Sequence, residues 1–352
     1  MDEFNEPQIF WDIGTAYDLF VSLHVLHNPS DFGLRPSWAA GVRSRLNNDQ
    51  RKTLEETNEI MGTIPFRWIF SLPEPKDTAS ILWALSKIPP AERLLPLTNI
   101  DRKDTEVYER LKQVEHRKTW DDEDLAFVRS RMLEWDYGRK KAKYAEKLLD
   151  CWANAHEFGE KMLEALDSYY EAFFAEEERH IFPALKDAYD ESSEMAEKIS
   201  FPDLFERLSR GVKVSGLFNA PEIVLIPSYW STPLIFFGDI DQNKKAILFG
   251  ARPDDVSLVP GEVVPDTLLR ILKAISDPTR LRILRYLTKE ELTQAELARR
   301  LRLRAPTLTH HLRALRLAGL VYLKVESQRE QLYAARLEAI SGMYDSLKNF
   351  LT

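Results

Sequence analysis

The sequence has a single cysteine in 352 residues. Cys151 has no partner for an internal disulfide, which places the chain in a reducing, cytoplasmic setting and makes this residue a buried apolar one. Long hydrophobic runs are missing too. The most apolar stretches, PEIVLIPSYW and TPLIFFG, are far shorter than the roughly 20 residues that span a bilayer, so no membrane partner is expected. The start, MDEFNEPQIF, lacks the basic residues and apolar core of a signal peptide. There is no G-x-G-x-x-G, no P-loop, and no G-x-S-x-G elbow around Ser228 and Tyr229, and no nucleophile is paired with a base. No enzyme class and no cofactor are therefore expected. Internal repeats and low-complexity tracts are also lacking.

What is present is aromatic and unevenly charged. Eight Trp, 18 Phe and 12 Tyr can fill sizeable cores, and the length suggests two or three domains. The net charge is −8. Residues 263–352, however, hold 16 Lys+Arg against 9 Asp+Glu, a net of +7, which leaves −15 for the remainder. Such asymmetry suits a basic part that faces a polyanion, or basic helices that dock on the acidic part. Charge alone does not separate these readings.

The pattern along the chain predicts a mainly α (α+β) protein. Residues 1–211 read as a helical N-terminal domain: Tyr17, Phe20, Leu23 and His24 recur at helical spacing, and Leu148, Trp152, Ala155, Phe158 and Met162 form one apolar stripe. Tyr169, Tyr170, Phe173 and Phe174 read as core. EEERH places Glu177 and His180 at the spacing of a di-metal carboxylate motif, but no second copy exists and the segment reads as a solvated helix end. Over 212–252, EIVLIPSYW, PLIFFG and KAILFGA, bounded by turn residues, predict a small antiparallel β meander packed on the helical domain. Residues 253–265, with three prolines and a glycine, read as a linker.

Residues 266–352 predict helix, helix, helix, helix, hairpin, helix. Asp277 can cap a helix with Pro278 in its first turn, on which Leu281, Leu284 and Leu287 are buried. Thr293 and Glu296 make a capping box, and Gly319 ends the fourth helix. This order is a winged helix-turn-helix. On the fourth helix Leu308, Leu312 and Leu315 give an apolar face, while Thr307, Thr309, His310 and Arg313 project elsewhere. Arg299, Arg300, Arg302, Arg304 and Arg316 flank it as phosphate contacts. Adjacent His310 and His311 diverge by about 100° on a helix and do not chelate one ion; His311 lies on the packed side.

LKAISDPTRLRILRYL and ELARRLRLRAPTLTHHLRALRLAGLV resemble the second-helix signature and the helix-turn-helix of the ArsR/SmtB family of bacterial winged-helix repressors. The resemblance covers residues 265–352, about a quarter of the chain. It implies double-stranded DNA as partner and a homodimer paired through the first and last helices of the module, with Leu268, Leu272, Ile340, Met343 and Leu347 at the interface. Where the family frequently has S-Q-P-T-V-S-H-H-L, this chain has RAPTLTHHL. That match implies groove contacts by Thr307, Thr309 and His310, whereas Arg304 and Ala305 depart from the pattern; Ala305 could meet only an apolar group such as the thymine methyl. The family's wing implies that Arg329 reaches the minor groove. The family's metal sites do not carry over: TQAELARRL has no cysteine, and LEAISGMYDSLKNFLT has Glu338 and Asp345 but no histidine. The sequence thus predicts a dimeric transcriptional regulator, most simply a repressor, whose N-terminal domain senses a small-molecule effector or extends dimerisation. The alternatives are an enzyme, or a protein-interaction protein, that uses the winged helix only for regulation or docking.

Overall fold

The computed structural model describes residues 6–62, 64–98, 100, 105–134, 142–214, 220–257, 264–325 and 331–352. Strand β1 (Gln8–Trp11) is followed by helices α1 (Thr15–His27), α2 (Pro36–Arg43), α3 (Asn48–Met61), α4 (Phe66–Ser71), α5 (Thr78–Lys87), α6 (Leu94–Leu97), α7 (Thr105–Arg117) and α8 (Asp122–Glu134). Helices α9 (Ala145–Ala153), α10 (Ala155–Tyr169), α11 (Ala175–Ala196) and α12 (Phe201–Leu208) lead to strands β2 (Val212–Val214), β3 (Glu222–Ser228), β4 (Phe236–Asp239) and β5 (Lys244–Gly250). The protein is mainly helical with small sheets.

The first sheet has the order β1-β3-β5-β4. Its β1/β3 and β3/β5 pairs are parallel, with Gln8 opposite Glu222 and Glu222 opposite Lys244; only β4 runs antiparallel. This corrects the expected antiparallel meander. The reason lies in the residues: EIVLIP and AILF are continuously apolar because both faces of the sheet are covered, the mark of parallel strands rather than of a half-wet hairpin. Val224, Ile226, Ala246 and Leu248 join the large helical core, while Ile223, Leu225, Ile247 and Phe249 pack against Phe201, Leu204 and Phe205 of α12. Strand β1 completes the sheet from the distant N-terminal end of the sequence. The stretch 212–252 is also not one unit, because Val212–Val214 belongs to the other sheet. Of the expected linker 253–265, residues 258–263 lie outside the described residues.

Helix α1 is almost wholly buried, as its apolar sequence requires. Its one acid, Asp18, closes a polar knot at the carboxyl end of β3: its carboxylate accepts from Ser228 Oγ (2.7 Å) and from the amides of Tyr229 (3.1 Å) and Trp230 (2.8 Å). Burial pushes the Asp18 carboxyl up to about 6 against the pull of these bonds. Tyr169, Phe173 and Phe174 are core, as is Cys151. Glu178 departs from the solvated reading of its segment: it accepts from Thr15 Oγ1 and from the Thr78 amide (2.9 Å), fixing the starts of α1 and α5.

The C-terminal part is α13 (Asp266–Ile275), α14 (Pro278–Leu287), β6 (Leu292–Thr293), α15 (Gln294–Leu301), α16 (Ala305–Leu317), β7 (Val321–Val325), β8 (Gln331–Ala335) and α17 (Leu337–Leu351). Asp277 accepts from the amides of Thr279 and Arg280, and Thr293 with Glu296 forms the capping box. Gly319 turns the chain after α16 at φ +67°. Leu284 and Leu287 are buried, but Leu281 is half exposed and Ile283 takes its place in the core. The second sheet, β2-β7-β8-β6, joins the two parts of the chain: β2 runs parallel to β7, with Val212 opposite Leu323.

Replacing Asp18 by alanine strands a buried hydroxyl and two buried amides. We expect a loss of about 3 kcal/mol or more in urea unfolding, and a smaller loss for Asp18→Asn, which retains one acceptor oxygen.

Candidate nucleic-acid interface

Helices α15 and α16 meet through a tight turn. Arg302 ends α15 in the left-handed region at φ +55°, and Pro306 occupies the first turn of α16, where a missing N–H costs nothing. Leu308, Leu312 and Leu315 are buried against Leu297, Leu301 and Ile283. Helical periodicity then forces the remaining positions outward. Arg302, Arg304, Ala305, Thr307, Thr309, His310 and Arg313 are all exposed. Arg329 lies outside the described residues.

Two of these side chains are already engaged. Thr309 Oγ1 donates to the Ala305 carbonyl (2.9 Å) and accepts from Gln294 Nε2 (2.5 Å). Gln294 also reaches the Ala305 carbonyl at 3.4 Å. It is a surface residue that sequence reasoning missed, because only the packing of α15 on α16 brings it beside Thr309. Arg313 pairs with Asp31, an acid in the single turn at Pro29–Phe32.

Arg316 is a correction. It was expected on phosphate, but it is largely buried, with Nη1 donating to the Arg210 carbonyl (3.0 Å) and Nη2 to the Ser209 carbonyl (2.7 Å). These carbonyls belong to the C-cap residue of α12 and the residue after it, close to the negative end of the helix dipole, which a cation opposes. Burial, aided by the Arg336 and Arg210 charges, pulls Arg316 down to about 10. Arg300 pairs with Glu290, whereas Arg302 and Arg304 in the turn have no partner among the described residues.

The histidines divide as the helical geometry demands. His310 is exposed, while the His311 side chain is 14% exposed, with Nδ1 3.9 Å from the Asp277 carboxylate. Their rings meet edge to face with centroids 6.0 Å apart. Among the described residues no group of three or more His, Cys, Asp or Glu side chains is placed to hold a metal ion.

The helices expected to pair two copies present two distinct faces. Leu268 of α13 is buried and Leu272 partly so. Met343 and Ala339 on α17 pack on the helix-turn-helix core, as does Ile340 at the margin. A second stripe of α17, Leu337, Ile340, Tyr344, Leu347 and Leu351, follows the i, i+3, i+7 spacing. Its members include some of the most exposed large apolar residues of the chain, Tyr344 at 66% and Leu351 at 72%. The expected interface residues thus separate: Ile340 and Leu347 lie on this stripe, and Leu268 and Met343 face the rest of the chain.

Residues 275–323 match the family model of a helix-turn-helix domain, a segment that runs from the end of α13 into β7. A comparison with curated proteins found no match. The chain therefore carries a helix-turn-helix, a DNA-binding regulatory module. No helix among the described residues is long and apolar enough to cross a membrane.

Removing the Arg316 side chain by Arg316→Ala leaves two carbonyls at the end of α12 without donors. The expected result is a stability loss of about 2–3 kcal/mol in urea unfolding. A variant as stable as the wild type but weaker on DNA would return Arg316 to the phosphate-contacting set.

Proposed function

We propose that this chain is a cytoplasmic, sequence-specific transcription regulator of the ArsR type, acting as a homodimeric repressor whose N-terminal region responds to an effector. The observation that carries the reading is the exposed start of α16. Arg302 and Arg304 stand just before the short polar side chains and His310 of a helix whose opposite face is core. That arrangement suits phosphate contacts around a groove-reading helix. Gln294 joins Thr309 as a group able to bridge to a base edge. The reading assigns no catalysis to the chain. Ser228, the hydroxyl most easily mistaken for a nucleophile, is fully buried and tied to Asp18.

Repression follows if bound dimers occlude polymerase, and release follows if an effector favours a shape with lower DNA affinity. The exposed α17 stripe supports pairing of two copies, since contiguous apolar surface of this kind marks an interaction site.

The reading is tested by titrating DNA fragments from the protein's own promoter region across a salt series. Thr309→Ala/His310→Ala should weaken operator binding by roughly tenfold or more while changing non-specific binding little. Arg304→Ala should weaken both and reduce the salt slope by about one. Equal binding to all sequences would remove the operator assignment.

Dimerisation has its own readout. In sedimentation velocity the wild type is expected as a dimer, and Tyr344→Asp/Leu347→Asp as a folded monomer, since charges within an apolar interface cost roughly 100-fold or more in association. A monomeric wild type at micromolar concentration would remove the dimer from the proposal.

A further inference from the structure

A cleft of about 1110 Å³ opens between the two parts of the chain. One wall comes from α11, α12 and the segment that leaves β5; the other comes from α13, the end of α16 and α17. It lies beyond the carboxyl end of β5, where ligands of open parallel sheets bind. Its volume slightly exceeds the usual range of small-molecule pockets. Phe249, Leu268, Ile271, Met343 and Phe350 give it apolar lining from both sides.

Most of its charged groups already have partners. Arg210 pairs with Asp254 (2.8 Å), Arg336 with Glu338 (3.1 Å), and Arg316 holds the end of α12. Arg252 is held less completely. Its side chain is 1% exposed, and Nη2 reaches the Thr232 carbonyl at 3.2 Å. The Asp266 carboxylate stands 3.9 Å away, beyond hydrogen-bond distance, and Nη1 is buried without a hydrogen-bond partner. Burial pulls this guanidinium down to about 10. A buried guanidinium whose Nη1 makes no hydrogen bond, and whose one nearby acid stands at 3.9 Å, is costly until an acceptor reaches it.

We propose that the cleft binds a small monocarboxylic acid with an apolar body, its carboxylate on Arg252 and its hydrocarbon against Leu268, Ile271, Met343 and Phe350. Arg252 Nη1, a buried guanidinium nitrogen without a hydrogen-bond partner, fits one carboxylate. Asp254 and Asp255 on the same rim oppose a dianion such as a phosphate ester. The apolar walls favour a hydrocarbon over a sugar. Because α13, α16 and α17 form one wall, occupancy is linked to the orientation of the DNA-reading helix, and the linkage is reciprocal. That second step rests on the proposed regulator function; the binding itself does not.

The full chain is titrated with decanoate and indole-3-acetate, and with the neutral analogues decan-1-ol and indole-3-acetamide, by calorimetry and thermal shift. At least one acid is expected to bind and raise Tm, and its neutral analogue to bind at least tenfold more weakly. Arg252→Gln should lose at least tenfold in affinity for that acid, and Arg252→Lys less. Should Arg252→Gln not fold, Phe350→Glu decides: it leaves Arg252 intact, puts a like charge on the exposed wall, and should cost a similar factor. The site is overturned if neither acid binds the wild type, if acid and neutral analogue bind alike, or if folded Arg252→Gln or Phe350→Glu binds as the wild type does. It is also overturned if Phe350→Glu changes only the oligomeric state, which would make the cleft a seat for a second copy. Acid binding that leaves operator affinity unchanged removes the linkage alone. Failure of the chain to bind any DNA removes the regulator reading and leaves the acid site standing.

Discussion

A parallel sheet has to be covered on both faces, and the architecture of this chain follows from that constraint. Helices of the large core cover one face and α12 covers the other. A short strand against a buried sheet must itself be apolar, which explains QIFW beside EIVLIP and AILF. Because α12 is pinned to the sheet, the carbonyls of Ser209 and Arg210 just after it come to a fixed place, and there Arg316 holds them. Gly211, at φ +99° and against the Tyr322 ring, then turns the chain into β2. The helix-turn-helix is thus oriented by the same packing that satisfies the sheet.

Much of the C-terminal part was legible in the sequence because its signals are local. A cap such as Asp277 or the Thr293/Glu296 box is a statement about neighbouring amides, and the leucine spacing on α16 is a statement about one helix. The first sheet was not legible in the same way. Continuous apolar runs show that both faces of these strands are covered, but not which strands pair or in what order. Strand β1 pairs with β3 across more than 200 residues of sequence. Arg316 shows the same limit at one residue. Composition places it with the basic turn, whereas its helical position points it at α12.

The charge asymmetry also resolves into two parts. Arg313, Arg300 and Arg316 are engaged within the protein, by Asp31, Glu290 and the end of α12. Arg313 and Arg316 thus contact the rest of the chain, the first through an acid and the second through carbonyls, whereas Arg300 is paired within its own segment. Arg302 and Arg304, just before the polar face of α16, are among the basic residues that face outward. The free basic surface at the start of α16 is narrower than a count of arginines suggests, and beside it stands Gln294, which no count of charge reveals.

Strand β2 has one more consequence. By lying along β7 it covers an edge of the wing sheet that would otherwise present open amides and carbonyls beside Leu323 and Val325. A free edge of that kind recruits other strands and promotes aggregation. A helix-turn-helix cut from this chain at residue 265 would expose that edge to other molecules. The flank of the module is thus guarded by a piece of backbone that precedes β7 by about a hundred residues.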